Sequence, residues 1–214
     1  MCLMETSRTT DSDPDSALRD RLADALAGEA AFSSWSHTAL RAAADQVAAG
    51  PDAERLFPGG PVEVLAYLSA RADQRTVAGL ENAGVMSLRI RERIKLAVRL
   101  RVENTVGGKE SVRRGLALLA LPFNAPLALK LLYRTVDAIW YAAGDTSADF
   151  NFYTKRATLA GVFSSTLLYW LNDRSEGNAA TWSFLDRRID DVMRFEKWKA
   201  DLSSLGSRRS ATRR

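Results

Sequence analysis

The stretch Ser36-His37-Thr38-Ala39-Leu40-Arg41-Ala42-Ala43-Ala44-Asp45-Gln46-Val47-Ala48-Ala49-Gly50-Pro51-Asp52-Ala53-Glu54-Arg55-Leu56-Phe57-Pro58-Gly59-Gly60-Pro61 decides the fold. Ser36 is a good N-cap for a helix running to about Val47. Gly50-Pro51 ends it, and Asp52 to Phe57 suit one short helical turn before the Pro-Gly-Gly-Pro stop. Upstream, Asp15 to Ala27 carries Leu18, Leu22, Ala25 and Leu26 at helical spacing, with Gly28 as a stop. Helix, helix, short helix is the outline of a helix-turn-helix head.

The rest of the chain continues the helical pattern. Pro61 suits the first position of a longer helix to about Asn82, with Val64, Leu65, Leu68 and Ala72 on its apolar face. From Ser87 to Val102, apolar residues alternate with charges, which fits a strand, yet Ile90, Ile94 and Ala97 also fit a helix. The helical setting and the length favour helix. Gly107-Gly108 breaks the chain, and Lys109 to Leu121 form a helix ending at Pro122. Asn124 can cap the next helix, with Pro126 in its first turn. Ser147 or Asp149 opens a long helix to about Leu171, and a last helix runs from about Ala179 to Leu202. The expected architecture is all-α, about nine helices. Residues 1–14 form a tail, 15–60 a helix-turn-helix-like head, 61–202 a larger helical domain, and 203–214 a basic tail.

Composition narrows the chemistry. The chain has 214 residues with one cysteine, Cys2, and one histidine, His37. No internal disulfide is possible, and a histidine-rich metal site cannot be built within the chain alone. The formal charge of +4 equals the four arginines among Ser207 to Arg214, so the body is balanced. The longest uncharged runs, Gly115 to Leu129 and Ala157 to Asn172, are shorter than a span and read as buried core helices. No targeting segment is visible, which points to the cytoplasmic side of a membrane.

Most candidate sites fail on their own terms. Gly107-Gly108-Lys109 lacks the upstream glycine and the following hydroxyl of a phosphate loop. His37 reads as a surface or capping residue. Asp145 with Asp149, and Asp186 with Asp190, read as structural carboxylates rather than acid–base pairs. The short helix Asp52 to Phe57 is acidic, so the head is poorly equipped to read DNA.

The stretch Ala143-Gly144-Asp145-Thr146-Ser147-Ala148-Asp149-Phe150-Asn151-Phe152-Tyr153-Thr154-Lys155-Arg156-Ala157 closely resembles the signature of the ubiquinone-biosynthesis accessory family, the ninth numbered coenzyme Q protein of mitochondria and its bacterial relatives. Leu121-Pro122-Phe123-Asn124-Ala125-Pro126, Asp137, Trp140, Leu159-Ala160-Gly161, Asp173-Arg174-Ser175 and Thr181 to Ile189 support it. The resemblance implies a TetR-like fold whose head no longer serves DNA, and a homodimer built on the last two helices. It implies a non-enzymatic protein without a cofactor that takes an isoprenoid or quinone lipid, or a phospholipid, in an apolar cavity. Helices 116–132 and 159–171 would line it, through Leu118, Leu121, Phe123, Leu127, Leu131, Trp140, Leu159, Val162 and Phe163. It also implies a partner, the hydroxylase that acts on a ubiquinone intermediate, met through Asp149, Phe152 and Tyr153 with Lys155 and Arg156 nearby.

Mitochondrial relatives carry tryptophan where this chain has Phe152, and a further amphipathic helix where this chain has only Ser203 to Arg214. The basic tail, with Lys197, Trp198, Lys199, Arg208 and Arg209, is expected to hold the dimer at the inner membrane instead. The competing reading is a TetR-like transcription regulator with a small apolar effector.

Overall fold

In the computed structural model, residues 14–145, 150–192 and 194 are described. Eight α-helices are assigned: α1 (Pro14–Ala30), α2 (His37–Gln46), α3 (Asp52–Leu56), α4 (Gly60–Asn82), α5 (Ile90–Glu103), α6 (Gly108–Leu119), α7 (Ala125–Ala142) and α8 (Phe150–Asn172). A ninth helical segment, α9, covers residues 179–192. Three short 3-10 turns join them, and no strand occurs among the described residues.

The chain divides into two compact units. The first holds residues 1–67 and 106–118, the second 68–105 and 119–214. Their boundaries fall inside α4 and near the end of α6, so neither unit is one continuous piece of chain.

The first unit contains α1 to α3, the start of α4 and most of α6. Leu22, Leu26, Leu40, Leu56, Phe57 and Val64 are buried together with many alanines. Ser36 caps α2 as its sequence suggests, its hydroxyl accepting from the Ala39 N–H at 3.2 Å. Arg19 lies between Phe57 and Tyr67, 4.7 and 4.8 Å from the ring centres, and donates to Glu63 at 2.9 Å. Trp35 donates to the carbonyl of Ser111 at 2.9 Å. Gly107 has φ +79, and a Cβ there would sit 2.4 Å from the carbonyl oxygen of Ala27. Only glycine fits that close passage. His37 is exposed at the start of α2.

The second unit is built on α5, α7, α8 and α9. The ambiguous stretch is a helix, α5. Its buried positions, Ile94, Ala97, Val98, Arg101 and Val102, recur at helical spacing. The alternation of charges is the solvent face of that helix. Arg101 is buried and donates to Asp73 at 2.5 Å and to the Ser69 hydroxyl at 3.0 Å. Thr135 completes the group, its hydroxyl 2.8 Å from Asp73.

Asp173 fastens the start of α9. It accepts from the Ser175 N–H at 2.8 Å and hydroxyl at 2.7 Å, and from the Thr181 N–H at 2.8 Å and hydroxyl at 2.5 Å. These donors, the Ser175 hydroxyl first, hold its carboxyl well below the usual carboxylate range. Lys95 to Asp186 at 2.9 Å and Arg91 to Asp190 at 3.0 Å tie α5 to α9. Both aspartates thus serve as cross-helix anchors.

Two local expectations are corrected. Asn124 precedes α7, but its side chain makes no cap hydrogen bond and is buried. The run from Gly115 to Leu129, expected as buried core, is broken at Pro122 as its sequence suggests but is largely exposed beyond it. Pro122 and Pro126 break it into the end of α6, a 3-10 turn at Pro122–Asn124 and the start of α7. Burying Asn124 turns its neighbours outward, and Leu121, Phe123 and Leu129 are exposed. No single helix among the described residues is long and apolar enough to cross a membrane.

Candidate functional site

The site is built where α7 and the start of α8 come together. Arg156 is its centre. The guanidinium is buried, and its Nε and Nη2 both reach Asp137 Oδ1 at 2.7 Å. Its Nη1 lies 3.6 Å from Asp145 Oδ2. Its plane sits over the Phe152 ring, 3.2 Å from the centre. Lys155 Nζ binds Asp145 Oδ1 at 2.7 Å and stands 5.5 Å from the Trp140 ring. Trp140 closes the circuit by donating to the carbonyl of Lys155 at 3.2 Å.

Two aspartates from the α7 side thus bind two consecutive basic residues of α8. Helix periodicity explains the pairing. Asp137, Trp140 and Tyr141 lie three or four positions apart, on one face of α7. Phe152 and Arg156 are one turn apart on α8, which permits the stack. The result is a braced platform. On it Tyr153 is 70% exposed and meets Phe152 edge to face, with 5.2 Å between ring centres.

The expected partner residues therefore have different stations. Tyr153 is presented to solvent, and Phe152 and Lys155 are half-buried. Arg156 is a brace rather than a surface contact. Asp149 lies outside the described residues. The sequence reading did not assign Asp137 and Asp145 to the site, although both stand in quoted motifs. Their signal was the pairing of two acids with Lys155-Arg156.

The expected lipid-lining residues do not share one cavity wall. Leu131, Leu159, Val162 and Phe163 are buried inside the second unit. Leu121 and Phe123 are exposed at the corner before α7, and Leu127 is half-buried there. Leu118 belongs to the first unit. Trp140 packs in the platform. A groove of ≈ 540 Å³ does run along this unit, lined by Asp73, Gln74, Val77, Arg134, Asp137 and Tyr141 among others. It holds none of those lining residues and is mixed in character. Lys197, Trp198, Lys199, Arg208 and Arg209 lie outside the described residues. Among the described residues no group of three or more histidine, cysteine or acidic side chains is placed to hold a metal ion.

The order of helices and the small helical head define a TetR-like all-α protein. The crystal structure of a TetR transcriptional regulator from Nitrosomonas europaea superposes with a TM-score of 0.69, covering 81% of this chain and 97% of that one at 24% identity. At that identity the likeness speaks for the fold alone. Residues 125–196, which carry the platform, match the COQ9 family, and the chain is homologous to COQ9 proteins across these helices. It is 30% identical over 184 residues to the Drosophila melanogaster "Ubiquinone biosynthesis protein COQ9, mitochondrial", covering 84% of this chain and 56% of that protein. It is 42% identical over 110 residues to the rat protein of the same name, covering 51% of this chain and 35% of that protein. The human protein aligns at 39% over 110 residues, with the same two shares. The chain spans about half the length of the first of these relatives and about a third of the others.

Proposed function

We propose that the chain is a non-catalytic accessory protein of ubiquinone biosynthesis that binds an isoprenoid or quinone lipid and presents it to a membrane-associated hydroxylase. One observation carries the reading. The residues matched by the COQ9 family, 125–196, are those that build the Asp137–Asp145–Lys155–Arg156 platform under the exposed Tyr153. A braced aromatic with a basic neighbour is suited to a partner contact, because little side-chain entropy remains to be lost on binding. In this reading the lipid tail enters among Leu131, Leu159, Val162 and Phe163, which are packed as core and part to admit it, each buried CH₂ contributing roughly 0.8 kcal/mol.

A homodimer through α8 is part of this reading. Ala157, Gly161 and Leu168 form an exposed, uncharged stripe on α8, and a Cβ at Gly161 would meet nothing within 4 Å. Such a face allows a second helix to approach closely. The basic residues after α9 and the membrane remain the proposed setting, with the hydroxylase as partner and no nucleic acid.

The transcription-regulator reading loses ground at α3. Its one arginine, Arg55, is held by Asp15 and Asp52, at 2.5 and 3.1 Å, and Asp52 and Glu54 lie beside it. A helix so occupied has little left for base edges or phosphates. The test is native mass spectrometry of the purified chain with identification of extracted lipid. A dimer carrying a prenyl quinone or isoprenoid lipid is the expected result. A lipid-free chain that also takes up no added quinone overturns the carrier function.

A further inference from the structure

The corner between α6 and α7 presents a cluster of exposed apolar side chains in the second unit. Phe123 is 76% exposed, Leu129 68%, Tyr133 47% and Leu121 40%. Ala120, Pro122, Ala125 and Pro126 are exposed among them. An exposed phenylalanine on a rigid turn is unusual where burial was available, and a contiguous apolar patch marks an interaction site. Pro122 and Pro126 fix the turn, and buried Asn124 anchors it inward. The patch is thus held out by design of the backbone rather than by mobility.

Charge identifies the occupant. Within the second unit, from Ala120 to Val136, the sequence has two basic residues and no acid. Both, Lys130 and Arg134, are exposed on α7 beside Leu129 and Tyr133. They stand about 6 and 12 Å along the helix from Pro126, at about 1.5 Å per residue. An interfacial anchor buries its apolar face about 5–10 Å into the headgroup boundary and keeps basic and aromatic residues at headgroup level. Here the two basic residues and Tyr133 follow the apolar tip on the same helix. From Ala120 to Leu129 the exposed side chains offer no hydrogen-bonding group, whereas protein interfaces carry one hydrogen bond per roughly 100–200 Å².

We infer that this corner is a lipid-docking surface, with Leu121, Phe123 and Leu129 entering an anionic bilayer and Lys130, Tyr133 and Arg134 resting among its headgroups. It is a different surface from the tail after α9, and it does not depend on a lipid cavity or on a hydroxylase.

The test is flotation of the full chain with phosphatidylcholine vesicles, with and without phosphatidylglycerol. The chain floats with the anionic vesicles and is released by salt. Phe123→Ser combined with Leu129→Ser lowers partitioning roughly a hundredfold or more. Lys130→Gln lowers it about fivefold, on anionic vesicles alone. Circular dichroism verifies that the variants keep their helices. A second measurement needs no loss of binding. In a Cys2→Ser, Phe123→Cys chain, a bimane label shifts its emission to the blue on adding anionic vesicles. Absence of flotation, an unshifted label, or binding lost only when residues 203–214 are deleted overturns the inference. So does a corner variant that keeps vesicle binding and loses a protein partner.

Discussion

Arg156 stacks on Phe152, one helical turn before it, at 3.2 Å from the ring centre. The same guanidinium holds Asp137 and faces Asp145, so one side chain ties an aromatic, two acids and two helices together. Arg156→Ala takes one of its cationic neighbours from the buried Asp145 carboxylate. Loss of about 3 kcal/mol is expected, the lower end for a broken buried pair because Asp137 is half-exposed. Arg156→Lys keeps the charge and loses the planar stack and fork, recovering only part. Chemical denaturation checks both, and equal stability of Arg156→Lys and the unaltered chain contradicts the stacking role.

Tyr153 has the opposite profile. Tyr153→Ala removes an exposed ring and changes stability by less than about 0.5 kcal/mol. If the platform is the hydroxylase contact, the exchange weakens that complex by about 2 kcal/mol, or roughly thirtyfold. Titration calorimetry of the two proteins decides. An unchanged Kd removes Tyr153 from the interface.

The buried pair Arg101–Asp73 is expected to show a strong asymmetry. Arg101→Met alone leaves Asp73 uncompensated in the interior and costs about 3–5 kcal/mol. Asp73→Leu made together with it restores most of the loss, since a well-packed apolar pair replaces two desolvated charges. A double-mutant cycle in denaturant measures the coupling, and additive losses contradict it.

Asp173 sets an acid limit. Its carboxyl is held below its unfolded value of about 3.9 by the Ser175 and Thr181 donors. The unfolded chain therefore takes up the proton first as pH falls. The contribution of the clamp is fully present above about pH 4 and is lost as the pH drops further. Asp173→Asn lowers the melting temperature at neutral pH and flattens its fall on the acid side. An acid profile parallel to that of the unaltered chain shows that other carboxylates dominate.

Gly161 separates the monomer from the assembly. A Cβ at the exposed Gly161 meets nothing within 4 Å, and Gly161→Leu replaces a poor helix former, which raises helix stability by about 0.8 kcal/mol. In a dimer packed through this face of α8 it keeps the partner helix away. Sedimentation is expected to give a monomer with full helix content, and a dimer of unchanged affinity places the interface elsewhere.

The legible parts of the fold were those with a local signature. Ser36, the Gly50-Pro51 stop and the acidic Asp52–Leu56 turn each carry their own cap, breaker or charge. The stretch around α5 was ambiguous because alternating bases and apolar residues satisfy both periods until Arg101 is seen to be buried against Asp73. The platform was half legible. Lys155 and Arg156 stand in a recognisable stretch, but a base beside aromatics reads as surface until its acids are located. The exposed corner was hidden. Apolar periodicity at Leu121 to Leu129 records what could be buried, and the outward turn depends on Asn124 going inward instead.

The platform has a kinetic side. Its ties join residues close along the chain, Asp145 with Lys155 ten positions apart, Trp140 with Lys155 fifteen and Asp137 with Arg156 nineteen. The head instead depends on Trp35 reaching Ser111 across 76. Short loops cost less entropy to close, and local contacts form sooner. Closing the platform therefore costs less chain entropy than fastening the head, which must be gathered from distant parts of the chain.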